Sequence, residues 1–90
     1  MNTILRKITN NCYDNPNSKY YEKKGNYIVK RDNNCIVHKY FDNTICLVNV
    51  NTKQFSLFTH GYLNSRLTTA QLNYLQKFYQ EKGYTFRQRI

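Results

Sequence analysis

Cys35 and His38 have the C-x-x-H spacing of a pair of zinc ligands. A structural zinc site usually shows two such close pairs, whereas the other residues that could serve as ligands, Cys12, Cys46 and His60, are each isolated in the sequence. An odd number of cysteines also argues against a disulfide framework. We therefore expect buried thiols and a surface histidine, with no metal and no cofactor.

A second group that could do chemistry is His60 with the hydroxyls of Ser65 and Thr68, a possible base and hydroxyl pair. The hydroxyls are explained equally well as caps at the start of a helix, and an exposed histidine needs no catalytic role. The chain has no H-E-x-x-H, G-x-S-x-G, phosphate-loop or dinucleotide-binding motif. None of its five carboxylates is spaced for acid–base work. The sequence predicts a protein that is not an enzyme.

The sequence supports binding better than it supports catalysis. Basic and aromatic residues alternate at 19–24 (KYYEKK), 38–41 (HKYF) and 84–89 (YTFRQR). Lysine and arginine cations pair with phosphates, and the stacking of an exposed ring on an unpaired base contributes about 1–3 kcal/mol to the binding free energy. Arginines add planar, bidentate phosphate contacts. The candidate residues for binding nucleic acid or another partner are Lys19, Tyr20, Tyr21, Lys23, Lys24, Arg31, Arg66, Arg87 and Arg89.

The alternative for these segments is that the rings belong to the core and the lysines only solvate the surface. We expect that alternative to hold for Phe55, Leu57, Phe78 and Tyr40. It fits Tyr20 and Tyr21 less well, because they are adjacent in a polar segment.

The charge balance is strongly basic: 14 lysines and arginines face five aspartates and glutamates, for a formal net charge of +9. A net charge of this size creates a field that attracts polyanions and speeds their encounter with the protein. Nucleic acid, an anionic membrane face and an acidic protein surface are all candidate partners. The alternative is a charge that serves only solubility, since net charge carries no information about specificity.

The 90 residues suit one domain, 1–90, with a small core. No apolar run approaches the roughly 20 residues that span a bilayer. The start, MNTILRKITNN, carries charge in its apolar stretch and lacks a small-residue cleavage site. We expect a cytoplasmic protein without a membrane partner or a small-molecule substrate.

Short β-branched and aromatic runs predict two successive hairpins. Their strands are expected at 26–31, 35–40, 44–50 and 54–60, with turns at 32–34 and 51–53. Residues 44–50 are almost continuously apolar, as in a central strand covered on both faces. Alternation in the last strand places Phe55 and Leu57 on one face.

After these strands the apolar spacing becomes helical, which predicts a helix over Thr69–Lys82. Thr68 or Thr69 would cap its start, with Gln71 completing a capping box. Gly83 would take the left-handed position that ends it. The apolar stripe of this helix consists of Leu72, Leu75, Phe78 and Tyr79.

The ends of the chain give weaker signals. Residues 1–7 suit a short strand or a helical turn, and residues 9–26 are expected to be a loop or linker because of the turn chemistry of Asp-Asn-Pro-Asn. Residues 84–90 suit an edge strand or a basic extension. The predicted fold is α+β: a small antiparallel sheet of three to five strands, formed by two hairpins, against one C-terminal helix.

The segment 40–75 resembles a group of small proteins encoded by bacteriophages and plasmids. Their pattern is a Tyr-x-x-Thr strand, a second strand, and a Ser-x-x-Thr-Thr helix start followed by Asn and an aliphatic residue. The resemblance implies a mobile-element origin and a strand–strand–helix core, and it carries no activity across. Many members have a histidine near the position of Gln71. The matching positions are Tyr40, Thr44, Ser65, Thr68, Thr69, Asn73 and Leu75, with three residues between Tyr40 and Thr44 where the pattern has two.

Two functions from different classes fit these observations. The first is a non-catalytic, phage-type protein that binds nucleic acid through Lys, Arg and exposed Tyr. The second is an anti-defence inhibitor, of the anti-CRISPR kind, that binds a host protein or nucleoprotein complex. An accessory virion protein held by contacts between copies is a third possibility. The sequence does not choose between DNA, RNA and protein, and it does not set the oligomeric state.

Overall fold

The computed structural model describes residues 3–14, 19–58 and 66–89. Within this part of the chain, six strands form one sheet whose spatial order follows the sequence, and two helices complete the fold. The elements are α1 (Thr3–Tyr13), β1 (Lys19–Lys24), β2 (Tyr27–Asp32), β3 (Cys35–Tyr40), β4 (Asn43–Asn49), β5 (Gln54–Leu57), α2 (Arg66–Glu81) and β6 (Thr85–Arg89).

The α+β class is confirmed, but the sheet is larger than expected. Six described strands replace the predicted three to five, and an N-terminal helix joins the C-terminal one. The sheet is also mixed: strands β1 to β5 pair antiparallel, while β6 pairs parallel to β5. A parallel pair needs a crossover connection, and α2 lies in that connection. The segment 84–90 therefore contains an edge strand over Thr85–Arg89.

Both predicted hairpins are confirmed, and their tight turns explain the register. Asp32 and Cys35 are partners across a two-residue turn in which Asn33 has φ +55°. Asparagine tolerates this left-handed region better than most residues. A β-bulge next to His38 leaves Ile45 as an extra residue in β4.

Strand β4 is not covered on both faces, as its apolar run had suggested. Ile45, Cys46 and Val48 are buried, but Leu47 is 42% exposed. The bulge explains how two adjacent residues, Ile45 and Cys46, can both be buried, and ordinary alternation resumes after them. The apolar run therefore belongs to a strand with one covered face and one open face.

The prediction of a loop over 9–26 is wrong for the residues that the structure describes. Residues 9–13 continue helix α1, and residues 19–24 form strand β1, which pairs with β2 along its whole length. Cys12 is fully buried in the core, and Tyr13 packs edge-on against Phe78 with ring centroids 5.9 Å apart. Tertiary packing of this kind overrides the weak helix propensity of an Asn-rich segment.

Helix α2 confirms the predicted apolar stripe, since Leu72, Leu75, Phe78 and Tyr79 are all buried. Its C-terminus is also confirmed. Gly83 has φ +90° and donates to the Gln80 carbonyl at 3.0 Å, and the Tyr84 N–H donates to the Tyr79 carbonyl at 3.0 Å. The rings of Tyr79 and Tyr84 are 5.6 Å apart. Together these contacts form a Schellman motif with its hydrophobic contact.

The predicted N-terminus of this helix is wrong, because α2 begins at Arg66. Thr68 and Thr69 therefore lie inside the helix, and Gln71 is buried, with 2% exposure, instead of capping the start. Ser65 and His60 lie outside the described residues.

The core lies between the two helices and one face of the sheet. Residues of α1 and α2 join strand residues in a single buried cluster, and Tyr13 links the helices through ring contacts with Phe78 and Tyr79. Phe55 and Leu57 point into this cluster, as predicted. No described helix is both long and apolar enough to cross a membrane.

Candidate functional site

The second face of the sheet carries no described helix, and we call it the open face. Strand register identifies its side chains: Tyr21 is opposite Lys30, Lys30 opposite Val37, and Val37 opposite Leu47. Residues that are partners in adjacent strands point to the same face. Their neighbours in sequence, such as Val29, belong to the buried cluster on the helix face. The open face is therefore the solvent side of the six-stranded sheet.

Five basic residues lie on the open face, and the only carboxylate in the described strands of that face is Asp32. The four lysines follow from the register, and Arg87 lines a shallow groove beside Leu47 at the β4–β6 end. None of the five is ion-paired with a carboxylate among the described residues. The described strands of the open face therefore carry an excess of four positive charges, five cations less the Asp32 carboxylate, which lies opposite Lys19. The cations of the open face are Lys19, Lys23, Lys30, Lys39 and Arg87.

Several basic residues on the helix side of the molecule are engaged in contacts within the chain. Lys24 Nζ is 3.8 Å from the Glu22 carboxylate. Lys82 Nζ lies 5.1 Å from the centre of the Tyr13 ring, and Lys53 Nζ lies 5.8 Å from the centre of the Tyr84 ring. Cation–π contacts of this kind stabilise the fold. Among the described residues, no such ion pair or cation–π contact engages the cations of the open face. They are therefore available to a partner.

Exposed apolar side chains lie among these cations. Tyr21 is 64% exposed on strand β1, and Leu47 is 42% exposed on β4. Phe41 is 52% exposed in the turn between β3 and β4, where it lines a depression with Lys23, Ile28 and Asp42. A large exposed ring beside unpaired cations is the arrangement that a nucleic acid or an acidic partner would use.

The turn that holds Phe41 has an unusual backbone. Phe41 has φ +50° and the following Asp42 has φ +64°. Both central residues of a two-residue hairpin turn can take positive φ, but Asn, Asp and Gly are the residues that do so at low cost. A phenylalanine is a poor choice for this position on conformational grounds.

Four of the nine residues predicted to bind a partner lie together on the open face. Lys19, Tyr21 and Lys23 alternate along β1, and Arg87 lies across the sheet on β6. Alternation in KYYEKK is what places the first three on one face. The segment 19–24 therefore forms one strand, with Lys19, Tyr21 and Lys23 on the open face and the residues between them on the helix face.

Four others lie on the helix face and have partners there. The Tyr20 hydroxyl donates to the Glu22 carboxylate, and burial, with that hydrogen bond, raises the pKa of Tyr20 to about 12. Lys24 pairs with Glu22, as described above. Arg31 Nε donates to the Asn33 carbonyl at 3.0 Å, and Arg89 Nη2 donates to Gln76 Oε1 at 3.1 Å. The ninth, Arg66, is the first residue of α2, and its side chain lies outside the part that the structure describes.

Two open-face cations, Lys30 and Lys39, are not among the nine candidates, although Lys39 belongs to the basic and aromatic segment 38–41. Each interrupts an otherwise apolar strand, at a position that alternation assigns to the side opposite Val29 and His38. The register of the β2–β3 hairpin could have identified them from the sequence, because the short turn fixes which residues of β2 and β3 share a face. They lie on the adjacent strands β2 and β3 of the open face.

The predicted surface histidine is wrong for His38, which is fully buried. Its Nδ1 is 2.8 Å from the Tyr27 hydroxyl, and its Nε2 is 2.7 Å from the Tyr79 hydroxyl. A neutral imidazole donates through one nitrogen and accepts through the other, so it satisfies both hydroxyls. Loss of solvent lowers the pKa of His38 to about 3 and raises those of Tyr27 and Tyr79 well above their ordinary values. The residue has a structural role in the core.

The expectation of buried thiols holds for two of the three cysteines. Cys12 and Cys46 are buried, as expected, whereas Cys35 is exposed on the open face. Burial raises the pKa of the Cys12 thiol to about 12, although the nearby Arg31 opposes this, and burial also raises the pKa of Cys46. Among the described residues, no three of His, Cys, Asp and Glu lie close enough to hold a metal ion.

Comparison of the chain with protein-family models, with curated proteins and with solved structures found no match in any of the three. Function must therefore be inferred from the geometry and the charge of the open face.

Proposed function

We propose that this protein is a non-catalytic binding module whose open face binds nucleic acid. The observation that carries the proposal is the collection of five unpaired cations on one exposed sheet face, against the single carboxylate of Asp32 among the described strand residues of that face. Phosphates supply the complementary charge at regular spacing, and lysine and arginine are the residues that neutralise them. The buried His38 and the high thiol pKa of Cys12 fit a role without catalysis.

Salt dependence tests this function directly. If five cations each replace a counterion on a single strand, the logarithm of affinity should fall with the logarithm of salt concentration at a slope of about 3 to 4. Fluorescence anisotropy with labelled oligonucleotides at several salt concentrations would measure the slope. Binding that disappears near physiological salt, or a slope near 1, would reduce the interaction to generic attraction by the net charge.

A second candidate is an anti-defence inhibitor that binds an acidic surface of a host protein or nucleoprotein. The exposed Leu47 and the half-buried Val37 favour it, because apolar side chains within a charged face suit a protein partner better than phosphates do. Pull-down from a host lysate, with and without nuclease treatment, separates the two candidates. A partner retained after nuclease treatment supports the inhibitor, and one that is lost supports nucleic-acid binding.

The resemblance of segment 40–75 to phage and plasmid proteins favours a mobile-element origin, and host cytoplasm would then be the place of action. The succession of β4, β5 and α2 agrees with the strand–strand–helix core that the resemblance implies. It assigns no activity, so the nature of the partner rests on the open face.

A further inference from the structure

We propose that the open face binds single-stranded nucleic acid in preference to a duplex, with bases stacked on Tyr21 and Phe41. This inference rests on the proposed function and specifies its ligand. It follows from the width of the face, the surroundings of Tyr21, the conformation of Phe41 and the charge of the chain.

The open face is too wide to enter the major groove of undistorted duplex DNA. Six strands spaced by about 4.8 Å span roughly 24 Å, whereas the major groove is about 12 Å wide and admits one helix or a two-stranded ribbon. An undistorted duplex therefore contacts this face only through phosphates and leaves the exposed rings unused. A single strand lies flat on a sheet and presents both its phosphates and its base faces.

Tyr21 has the surroundings that a stacking platform needs. Its ring is 64% exposed. Lys19 and Lys23 lie two residues away on the same strand and face, and Lys30 is its partner across the strand pair. Side chains at opposed positions have their Cβ atoms about 5 Å apart, so three cations lie around one ring. The carboxylate of Asp32, opposite Lys19, is the single acidic group of the described open-face strands beside them. A base stacked on that ring would have its flanking phosphates within reach of lysines.

Phe41 offers a second ring at a conformational cost. Its φ of +50° is one that Asn or Gly adopts far more readily, yet the position carries a phenylalanine that is 52% exposed. The ring lies 4.6 Å from that of Tyr40 between centroids. It lines a depression in which the lysine Lys23 and the carboxylate Asp42 are both present, with Asn26 and Ile28 completing the lining. Strained residues of this kind cluster at ligand-binding sites, and an exposed ring beside a free cation is suited to a base.

A second copy of this chain is a poor occupant for the same face. Each copy carries a formal net charge of +9, and the apposed faces would bring the unpaired cations of both copies together. Repulsion between them opposes self-association. The charge of the face favours a polyanion, and its exposed rings favour unpaired bases.

The test compares Tyr21→Ala and Tyr21→Phe for binding to oligothymidylate, to oligouridylate and to a blunt-ended DNA duplex, by fluorescence anisotropy at fixed salt. We expect Tyr21→Ala to weaken binding to at least one single strand by about 5- to 150-fold, the range that loss of one stacked base gives. Tyr21→Phe keeps the ring and should retain single-strand affinity. Duplex affinity should be weaker than single-strand affinity and unchanged in both variants.

The outcomes separate this inference from the proposed function. If the unaltered protein binds none of the three ligands, the proposed function fails, and the inference fails with it. If duplex and single strands bind equally well, or if Tyr21→Ala binds single strands as well as the unaltered protein does, nucleic-acid binding stands and the single-strand preference is overturned. The comparison of the two single strands shows whether DNA or RNA is the better ligand.

Phe41→Asn tests the second ring with a different readout. Asparagine relieves the strained backbone and loses the ring contact with Tyr40, and these two effects on stability are of similar size and opposite sign. We expect the Tm to change by no more than about 8 °C while single-strand affinity falls by about 5-fold or more. A variant that keeps its single-strand affinity would remove Phe41 from the site.

Discussion

Replacing Lys30 and Lys39 by glutamate should lower the affinity for single-stranded nucleic acid by about 100-fold or more. Both residues lie on the open face, on the adjacent strands β2 and β3. Each charged hydrogen bond to a phosphate is worth about 1.5 kcal/mol or more, so the loss of two removes about 3 kcal/mol before repulsion from the new carboxylates is counted. Anisotropy titration at low salt keeps the weakened binding measurable.

The matched control is the double change Lys7→Glu and Lys77→Glu. These lysines are exposed on α1 and α2, on the opposite side of the sheet. Both double variants lower the net charge by the same four units, since each lysine-to-glutamate change removes two. We expect less than a tenfold loss in the control, which keeps the open face intact. Equal losses in the two variants would mean that the overall field of the protein, and no particular face, attracts nucleic acid.

The elements defined by local chemistry were predictable from the sequence. Asn33 and its neighbours gave the first hairpin because asparagine tolerates positive φ in a short turn. Gly83 gave the end of α2 for the same conformational reason. The stripe from Leu72 to Tyr79 gave the buried side of that helix. In each case a few adjacent residues contain the whole signal.

The elements defined by distant contacts were not predictable in the same way. Helix α1 ends in the residues Asn-Asn-Cys-Tyr, whose helix propensity is low, and it is held by the burial of Cys12 and the packing of Tyr13 against Phe78. Strand β6 joins β5 as a parallel neighbour, a pairing that follows only once α2 has crossed the sheet. Such pairings are decided by the assembled core.

The candidate site could be predicted only in part, because it also depends on residues that are distant in the sequence. Composition identified the basic and aromatic segment at 19–24, but only alternation within β1 separates Tyr21 from Tyr20. Lys30 and Lys39 come together with Tyr21 through the register of three strands. A binding surface on a sheet is assembled across strands, so residues that are distant in sequence define it.

The buried histidine also leads to a prediction, because it makes stability depend on pH. The pKa of His38 is about 3 in the folded protein and has an ordinary value of 6.5 when the chain is unfolded. Between these values the unfolded state binds a proton that the folded state does not, so stability is lost as pH falls below about 6.5. From about pH 7 to pH 5, we expect a loss of about 2 kcal/mol in the free energy of unfolding, which urea denaturation would measure at each pH.

Nothing that faces His38 among the described residues offers a charge to offset its protonation. Its neighbours are the hydroxyls of Tyr27 and Tyr79 and the thiol of Cys46, all kept neutral because burial raises their pKa values. A charged imidazolium would donate from both nitrogens and would lie fully buried without a counterion. Desolvation therefore opposes the charge without compensation.

His38→Gln is the control, because the glutamine amide can donate to one tyrosine and accept from the other without titrating. His60 is present in both proteins, so the difference between their pH profiles isolates His38. We expect the variant to lose about 2 kcal/mol less than the unaltered protein between about pH 7 and pH 5, whatever its stability at neutral pH. Parallel profiles for the two proteins would show that His38 gains its proton in the folded state as readily as in the unfolded one. The hydrogen bonds to Tyr27 and Tyr79 could then not be those of a neutral ring.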